Sequence, residues 1–395
     1  MENTVDAADL FEEVFRVFPS VRSQAPGRLE VLGNHTDYNE GYVLSVAVDL
    51  GTEMAFDKVK GTVCKIFSPN MGDGVRSFDL NDIAQPLDDS DWTNYIRGVV
   101  VELQKRNYPV HAFNAVINSN MPISAGMSSS ASIEMALICG LCELFEFDIS
   151  LEEKAIIGQG CENNYIGANT GLLDQLSSLS GKKDFLVVSE YRNLSVKHTP
   201  IPPELTLVVI NSGITHDLSC EYNERRQSCE EATNVLKSIY PKVTSLRDVS
   251  FHMLEDVKGS LSLCAYLRAR HIIEENDRVK ESQTLLNQNK LKEFGQLLFD
   301  SHKSSIENFE NSCEELDFIV ESARNSGMCL GARLSGGGFG GISIHLVKAE
   351  NVNKYLDYIK SIFKDKYLFV PDTYVCRSAS GACAYTILGA GVNVN

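Results

Sequence analysis

The sequence predicts an α+β protein built from two domains. Three observations predict this class: a length of 395 residues, a mixture of strand-like and helical segments in the first half, and a mainly helical second half. A turn-prone stretch with Pro200, Pro202 and Pro203 separates the halves. We therefore expect an N-terminal domain over residues 1–200 and a C-terminal domain over residues 201–395.

The elements follow from periodicity and turn residues. The acidic N-terminus, MENTVDAADLFEEVF, predicts an amphipathic helix within residues 1–18 rather than a signal peptide. Strands are expected around residues 25–60 and at 112–117, 185–189 and 205–210, with helices at 98–106, 128–144 and 151–165. Beyond the proline-rich stretch we expect helices at 221–240, 255–275, 287–308 and 313–326, and strands at 341–347 and 373–378.

Composition restricts the possible partners. The net charge of −17 argues against nucleic acid or an anionic membrane as a main partner, and no apolar run approaches a membrane span. The eleven cysteines are odd in number and mostly lie in apolar settings, which favours free thiols in a cytoplasmic protein. Cys139 and Cys142 form a CxxC inside an apolar helix, where core packing is a better interpretation than a metal or redox site.

The segment at residues 25–41, APGRLEVLGNHTDYNEG, places many hydrogen-bonding side chains on one short loop. The apolar residues Leu29, Val31 and Leu32 predict a strand that ends at Gly33. Alone, such a run is most often a polar surface turn. Two further glycine-rich segments make a substrate loop the better interpretation.

The second segment, MPISAGMSSSAS at residues 121–132, follows a strand and leads into a helix. Small residues and the unpaired N–H groups of a helix start favour a phosphate site, although a serine-capped helix is the ordinary alternative. The third segment, GARLSGGGFGG at residues 331–341, has six glycines in eleven positions and lies inside a folded unit rather than a linker. Glu162 and Asp174 add two carboxylates, one of which could hold a metal while the other handles a substrate hydroxyl.

These segments together resemble the galactokinases of the GHMP small-molecule kinase superfamily. The resemblance is carried, in the family's order, by GRLEVLGNHTDYNEGYVL at 27–44, DWTNYIRGVV at 91–100, PISAGMSSSASIE at 122–134, GLLDQ at 171–175, CEYNERRQSCEEA at 220–232, SHKSSIENFENSCEELD at 301–317 and GARLSGGGFGG at 331–341. It implies a two-domain GHMP kinase fold with the active site between the domains. It also implies ATP and Mg²⁺, a small sugar as partner, and a monomer or weak oligomer.

The implied reaction is transfer of the γ-phosphoryl group of ATP to the anomeric hydroxyl of galactose or a close galacto-configured sugar. Asp174 matches the catalytic aspartate, which takes or orients the hydroxyl proton, and Arg28 matches the arginine that contacts it. The other matches are the Mg²⁺ ligands Ser130 and Glu162, the phosphate loop Gly126, Ser128 and Ser129, the base-side residues Trp92 and Tyr95, and the sugar-side residues Asn34, His35, Asp37, Gly171 and Tyr222.

The first segment departs from the family pattern N-x-x-G-E-H at two positions. Glu30 replaces the asparagine, and Asn34 replaces a glutamate that accepts a hydrogen bond from the sugar's C6 hydroxyl in the family. An amide can accept from a hydroxyl, and it can also donate to a C6 carboxylate. A galacturonate kinase, or a kinase for another C6-altered sugar, is therefore an alternative. The sequence by itself assigns no role to Glu30.

A non-catalytic, sugar-sensing regulator of the same fold is the second alternative. The positions matching the family's catalytic residues retain Arg28, Asp174, Ser130 and Glu162. An enzyme is therefore the preferred interpretation.

Overall fold

The structure is a computed structural model that describes residues 6–88, 91–122, 126–168, 170–214 and 219–387. Its helices are α1 (Ala7–Phe15), α2 (Thr93–Lys105), α3 (Ser129–Phe145), α4 (Leu151–Gly160), α5 (Leu173–Ser180), α6 (Ser219–Ile239), α7 (Phe251–Val257), α8 (Leu263–Asn287), α9 (Leu291–Ser304), α10 (Glu314–Asn325) and α11 (Val352–Tyr367). Its strands are β1 (Val21–Leu32), β2 (Tyr42–Lys58), β3 (Val63–Phe67), β4 (Val75–Asp79), β5 (Phe113–Ser119), β6 (Phe185–Glu190), β7 (Ser195–Pro200), β8 (Leu205–Asn211), β9 (Cys329–Ser335), β10 (Ile342–Lys348), β11 (Thr373–Cys376) and β12 (Cys383–Thr386). The predicted α+β class is confirmed.

The described strands form two sheets. The first has the order β12-β1-β2-β5-β3-β4, with β6 paired to β2 and β7 paired to β6. The second has the order β11-β8-β10-β9 and is antiparallel throughout. The chain passes from the first sheet to the second between residues 200 and 205, where the prolines lie.

The last strand does not follow the predicted division at residue 200. β12 returns to the first sheet and pairs antiparallel with the start of β1, from Val21 opposite Thr386 to Gln24 opposite Cys383. Residues 383–386, which the prediction assigned to the C-terminal domain, therefore belong to the first sheet. A short strand near a chain end carries no local signal of which sheet it joins.

Helix α3 lies directly against β1. Ser23 Oγ donates to the Ala136 carbonyl at 2.6 Å, and Ser132 Oγ donates to the Ala25 carbonyl at 2.7 Å. A side chain at Gly140 would also meet the ring of Phe56, so glycine permits the close approach. This packing brings the start of α3 beside the middle of β1.

Several element boundaries differ from the predictions. The predicted helix 255–275 is two helices, because Ser262 caps the start of α8 by accepting from the Ala265 N–H. Two long predicted helices end in π-helical turns, at Cys161–Ile166 after α4 and at Ser305–Phe309 after α9. Seven elements were not predicted from the sequence: α5, α11, β3, β4, β7, β9 and β12.

Within the described residues, ten cysteines are free thiols. Cys139 and Cys142 are buried on α3, 6% and 7% exposed, as core packing requires. No group of three or more His, Cys, Asp or Glu side chains that could hold a metal ion occurs in that part of the chain, and none of its helices is long and apolar enough to cross a membrane.

Candidate active site

A cavity of about 630 Å³ lies where the three glycine-rich segments meet. Its walls come from one face of β1, the loop that follows it, the start of α3, residues 168–174, Tyr222 of α6 and the segment 335–341. The size is that of a site for a small ligand. It brings together all the sequence-predicted site residues except Glu162, Trp92 and Tyr95.

The predicted catalytic pair is formed. Nε and Nη2 of Arg28 both contact Oδ1 of Asp174 at 2.7 Å, and Nη1 donates to the Gly126 carbonyl at 3.0 Å. The hydroxyl of Ser128 donates to the other oxygen, Oδ2 of Asp174. Arg28 is almost fully buried, with 7% of its side chain exposed, so its charge acts at short range and with little screening. The contacts from Arg28 and Ser128 fix both carboxylate oxygens of Asp174, which lines the cavity.

The start of α3 has the features of an anion site. Ser128 precedes the helix with φ 62° and ψ 56°, and its side chain makes no capping hydrogen bond to the helix. The first N–H groups are therefore not satisfied by that cap, and the positive end of a 17-residue helix faces the cavity at Ser129 and Ser130. Residues 123–125 of the predicted phosphate segment lie outside the described residues.

The glycine-rich segment 331–341 is a tight folded loop rather than a linker. Its first residues form β9, and Gly338 has a φ of 87°, which favours glycine. A side chain at Gly338 would meet Asn311, whose Nδ2 would lie 2.8 Å from the added carbon. The close approach lets Asn311 reach the cavity wall beside this loop.

Glu162 and Ser130 meet at the phosphate end of the site. Ser130 Oγ donates to Glu162 Oε1 at 2.9 Å, and the Thr170 hydroxyl donates to Oε2. Glu162 is only 5% exposed, and burial, followed by the nearby charge of Asp174, raises its pKa. No Lys, Arg or His of the described chain forms an ion pair with it, so a cation would relieve this buried charge. One carboxylate and one hydroxyl fit Mg²⁺, which takes its remaining oxygen ligands from phosphate and water.

His35, Asp37 and Tyr222 also line the cavity. The ring of His35 lies 4.5 Å from that of Phe309 and 5.1 Å from that of Tyr222, measured between centroids. Burial lowers the pKa of His35 to about 4, so the ring is neutral. Its Nε2 lies 3.1 Å from the Gly337 carbonyl, which can only accept, so Nδ1 is left to accept from the Tyr38 hydroxyl at 3.0 Å.

Gly171 is required by the position of Asp37. A side chain at Gly171 would overlap the Asp37 carboxylate, so glycine allows the two segments to touch. Burial raises the pKa of Asp37 to about 6, and the charges of Glu30 and Asp174 act in the same direction. Asp37 is therefore an acceptor in a crowded acidic environment.

Asn34 is 1% exposed, and its side-chain hydrogen bonds are taken by the protein. Nδ2 donates to Glu30 Oε1 at 2.9 Å and to the Gly336 carbonyl at 2.8 Å, while Oδ1 accepts from Asn311 at 2.9 Å. The expectation that this amide could donate to a carboxylate on the sugar therefore lacks support, because neither hydrogen is free.

The loop that carries Asn34 is fixed by α8. Glu275 Oε1 accepts from the Gly33 N–H at 2.9 Å and from the Asn34 N–H at 3.3 Å. Ser301 donates to the same oxygen at 2.7 Å. These bonds hold the loop rigidly against the C-terminal helices.

Trp92 and Tyr95 are not brought to the cavity. Both are partly buried near the start of α2 and pack against the apolar core of the first sheet. Trp92 Nε1 donates to Asp73 at 3.1 Å. Contact of either ring with the nucleotide base stays a prediction.

Sequence reasoning missed four residues of the site: Glu30 as a cavity residue, Thr170, Asn311 and Arg333. Asn311 and Arg333 join Glu30 and Asn34 from positions 277 to 303 residues away along the chain. No local spacing could have found them.

Three sequence profiles match the chain. They are described as GHMP kinases N terminal domain at residues 94–182, Galactokinase galactose-binding signature at residues 9–58, and GHMP kinases C terminal at residues 282–365. The galactose-binding signature contains positions 30 and 34, at which this chain departs from the family pattern.

Curated relatives extend over the same length. A galactokinase of Roseiflexus sp. (strain RS-1) is 33% identical over 96% of this chain and 97% of its own. A galactokinase of Haemophilus influenzae (strain Rd) is 36% identical over 95% and 98%.

Solved structures show the same likeness. The galactokinase of Lactococcus lactis complexed with galactose superposes with a TM-score of 0.91 at 30% identity, covering 95% of this chain and 98% of that one. The mevalonate kinase of Methanococcus jannaschii gives 0.63 at 18% identity over 92% and 100%, which is a likeness of fold alone.

Proposed function

Because this chain belongs to the galactokinase family of GHMP kinases, we propose that it transfers the γ-phosphoryl group of ATP to the anomeric hydroxyl of galactose. The predicted family and two-domain GHMP fold are confirmed by the same comparisons. The observation that carries the residue assignment is the Arg28–Asp174 pair, which lies between the start of α3 and the His35–Tyr222 side of one cavity.

The chemistry follows from this placement. The anomeric oxygen attacks the γ-phosphorus, and the bond from this phosphorus to the β-phosphate oxygen of ATP breaks. The proton of the anomeric hydroxyl passes either to Asp174 or to solvent, and in the second case Asp174 orients the hydroxyl. Arg28 orients Asp174 and offsets the charge on the transferring group. The N–H groups at Ser129 and Ser130 hold phosphate oxygens. Phosphoryl transfer needs mainly such positioning and neutralisation.

Glu162 and Ser130 would hold Mg²⁺, which would neutralise charge on the phosphates. Ser130 and Thr170 donate to the two oxygens of the Glu162 carboxylate and so orient it.

Galactose is favoured over a uronic acid by the charges of the cavity. Glu30, Asp37 and Asp174 line it together with Arg28, and Arg28 is already paired with Asp174. A carboxylate on the sugar would meet this excess of negative charge, whereas neutral hydroxyls find acceptors. The arrangement also gives no support to a non-catalytic regulator, because the catalytic pair is intact.

The test is an assay of ADP release over galactose, galacturonate, N-acetylgalactosamine, fucose and arabinose, with the product of each reaction identified. We expect galactose to have the highest kcat/KM and to give galactose 1-phosphate. Binding of galactose without ADP release would support the regulator, and a preference for galacturonate would overturn the argument from charge.

We further propose that the protein acts in the cytoplasm as a monomer or weak oligomer without a nucleic-acid partner. The net charge of −17 and the free thiols support this proposal. Light scattering after size exclusion, and fractionation of cells that express the protein, would test it.

A further inference from the structure

One carboxylate oxygen of Glu30 has no hydrogen-bond partner among the described residues. Oε1 accepts from Arg333 Nη1 at 2.7 Å and from Asn34 Nδ2 at 2.9 Å. Oε2 accepts no hydrogen bond from any described residue, and it is not fully enclosed by them. Because Glu30 is one of the residues that line the cavity, the cavity is where a ligand can reach this oxygen.

The side chain is held in this position. It is 2% exposed, and Arg333, which is 0% exposed, anchors it from behind and does not line the cavity. Burial raises the pKa of Glu30, and the charges of Arg333 and Arg28 oppose that rise. A buried carboxylate with one unpaired oxygen is unfavourable unless a donor reaches it. No described residue supplies this donor, whereas a ligand in the cavity can.

Glu30 and Asn34 are also direct partners of each other. The two positions at which the chain departs from the N-x-x-G-E-H pattern have exchanged their carboxylate and amide, and both hydrogens of the Asn34 amide are taken by the protein. Asn34 Oδ1 already accepts from Asn311, whereas Glu30 Oε2 is a charged acceptor with no donor among the described residues.

We propose that Glu30 determines sugar specificity by accepting, through Oε2, a hydrogen bond from a sugar hydroxyl other than the one that is phosphorylated. The inference rests on the proposed function, because it takes a neutral sugar as the occupant of the cavity. A fixed, buried acceptor selects for a hydroxyl in one position and against a carboxylate there. Arg333 is then a positioning residue, since it acts only by holding Glu30.

The experiment has the form of a double-mutant cycle in which a deoxy sugar takes the place of the second mutation. The kcat/KM of the unsubstituted enzyme and of Glu30→Gln is measured with galactose and with its 2-, 3-, 4- and 6-deoxy analogues. We expect Glu30→Gln to lower kcat/KM for galactose by about ten- to a hundredfold, the usual effect of weakening a hydrogen bond to a charged group. For the analogue that lacks the bonded hydroxyl, the loss should shrink to less than about threefold.

A purely structural role would give a different pattern. In that case Glu30→Gln lowers kcat/KM by the same factor for galactose and for every analogue, and the proposal is overturned. Glu350→Gln is the matched control, because Glu350 is exposed and does not line the cavity. It should leave all the values unchanged.

Removing Glu30 alone leaves Arg333 buried without its partner and can prevent folding. The double variant Glu30→Met/Arg333→Met removes the pair as a unit, which usually preserves stability. Nucleotide binding reports that it is folded, and it should show the same analogue-dependent loss; a uniform loss again overturns the proposal. Lack of turnover by the unsubstituted enzyme on any of these sugars would instead refute the proposed function.

Discussion

Replacing Asp37 by asparagine should stabilise the protein in a pH-dependent way while it removes activity. The pKa of Asp37 rises from 3.8 to about 6 in the folded protein, first because the partly buried side chain loses solvation and further because Glu30 and Asp174 are near. An unfolded chain ionises this group near its ordinary pKa. As pH rises between the two values, the unfolded state therefore loses its proton first, and the folded state loses stability.

The size of the effect follows from the shift. One pKa unit corresponds to about 1.36 kcal/mol, so ionised Asp37 lowers the free energy of unfolding by at most about 3 kcal/mol. Partial exposure of the side chain reduces this figure through solvent screening. About 2 kcal/mol of it should appear between about pH 4.5 and about pH 7.5, because the unfolded group is already largely ionised at the lower value.

The measurement is urea unfolding of the unsubstituted protein and of Asp37→Asn across this pH range. The stability advantage of the variant should grow as pH rises, whereas its kcat/KM for galactose should fall, as is typical of a residue kept for function. Asp357→Asn, at an exposed position on α11, controls for the removal of one negative charge. If the free energies of unfolding of Asp37→Asn and of the unsubstituted protein differ by the same amount at every pH, the reasoning is refuted.

Three further variants test the site. Asp174→Ala should lower kcat by at least about a thousandfold, with nucleotide affinity measured by calorimetry nearly unchanged; appreciable residual activity would contradict the assignment. Ser130→Ala should raise the Mg²⁺ concentration for half-maximal activity by about tenfold without changing the KM for galactose, because Ser130 orients Glu162; an unchanged Mg²⁺ titration would count against this metal site. Gly171→Ala should lower kcat/KM for galactose about ten- to a hundredfold with the KM for ATP unchanged, since its new side chain displaces Asp37; equal effects on both substrates would indicate general misfolding.

The sequence was most informative where conformation is local. The start of α3 was predicted to within one residue of Ser129, because small residues and serines followed by an apolar run define a helix start. The prediction of a single helix over 255–275 was wrong. The apolar periodicity on which it depended continues across the interruption before Ser262, so it gave no sign of the break. Asp174 was chosen by resemblance, although its helix α5 was not predicted.

Pairings between distant segments could not be predicted from the residues. Arg28 and Asp174 are 146 residues apart, and only the resemblance joined them in advance. Glu30 shows the limit most clearly, because its partner Arg333 is 303 residues away and Asn311 reaches Asn34 from 277. A resemblance can transfer roles only to positions that match, and position 30 does not.

The sequence by itself determined the family and the reaction class, because the motifs that carry the resemblance are contiguous runs of residues. The tertiary structure decided which hydrogen-bonding groups of the two departing residues are already taken. The Asn34 amide donates to Glu30 and Gly336 and accepts from Asn311, whereas Glu30 Oε2 has no partner among the described residues. Hydrogen-bonding capacity depends on partners that the fold brings from the other end of the chain, so only the folded protein could assign it.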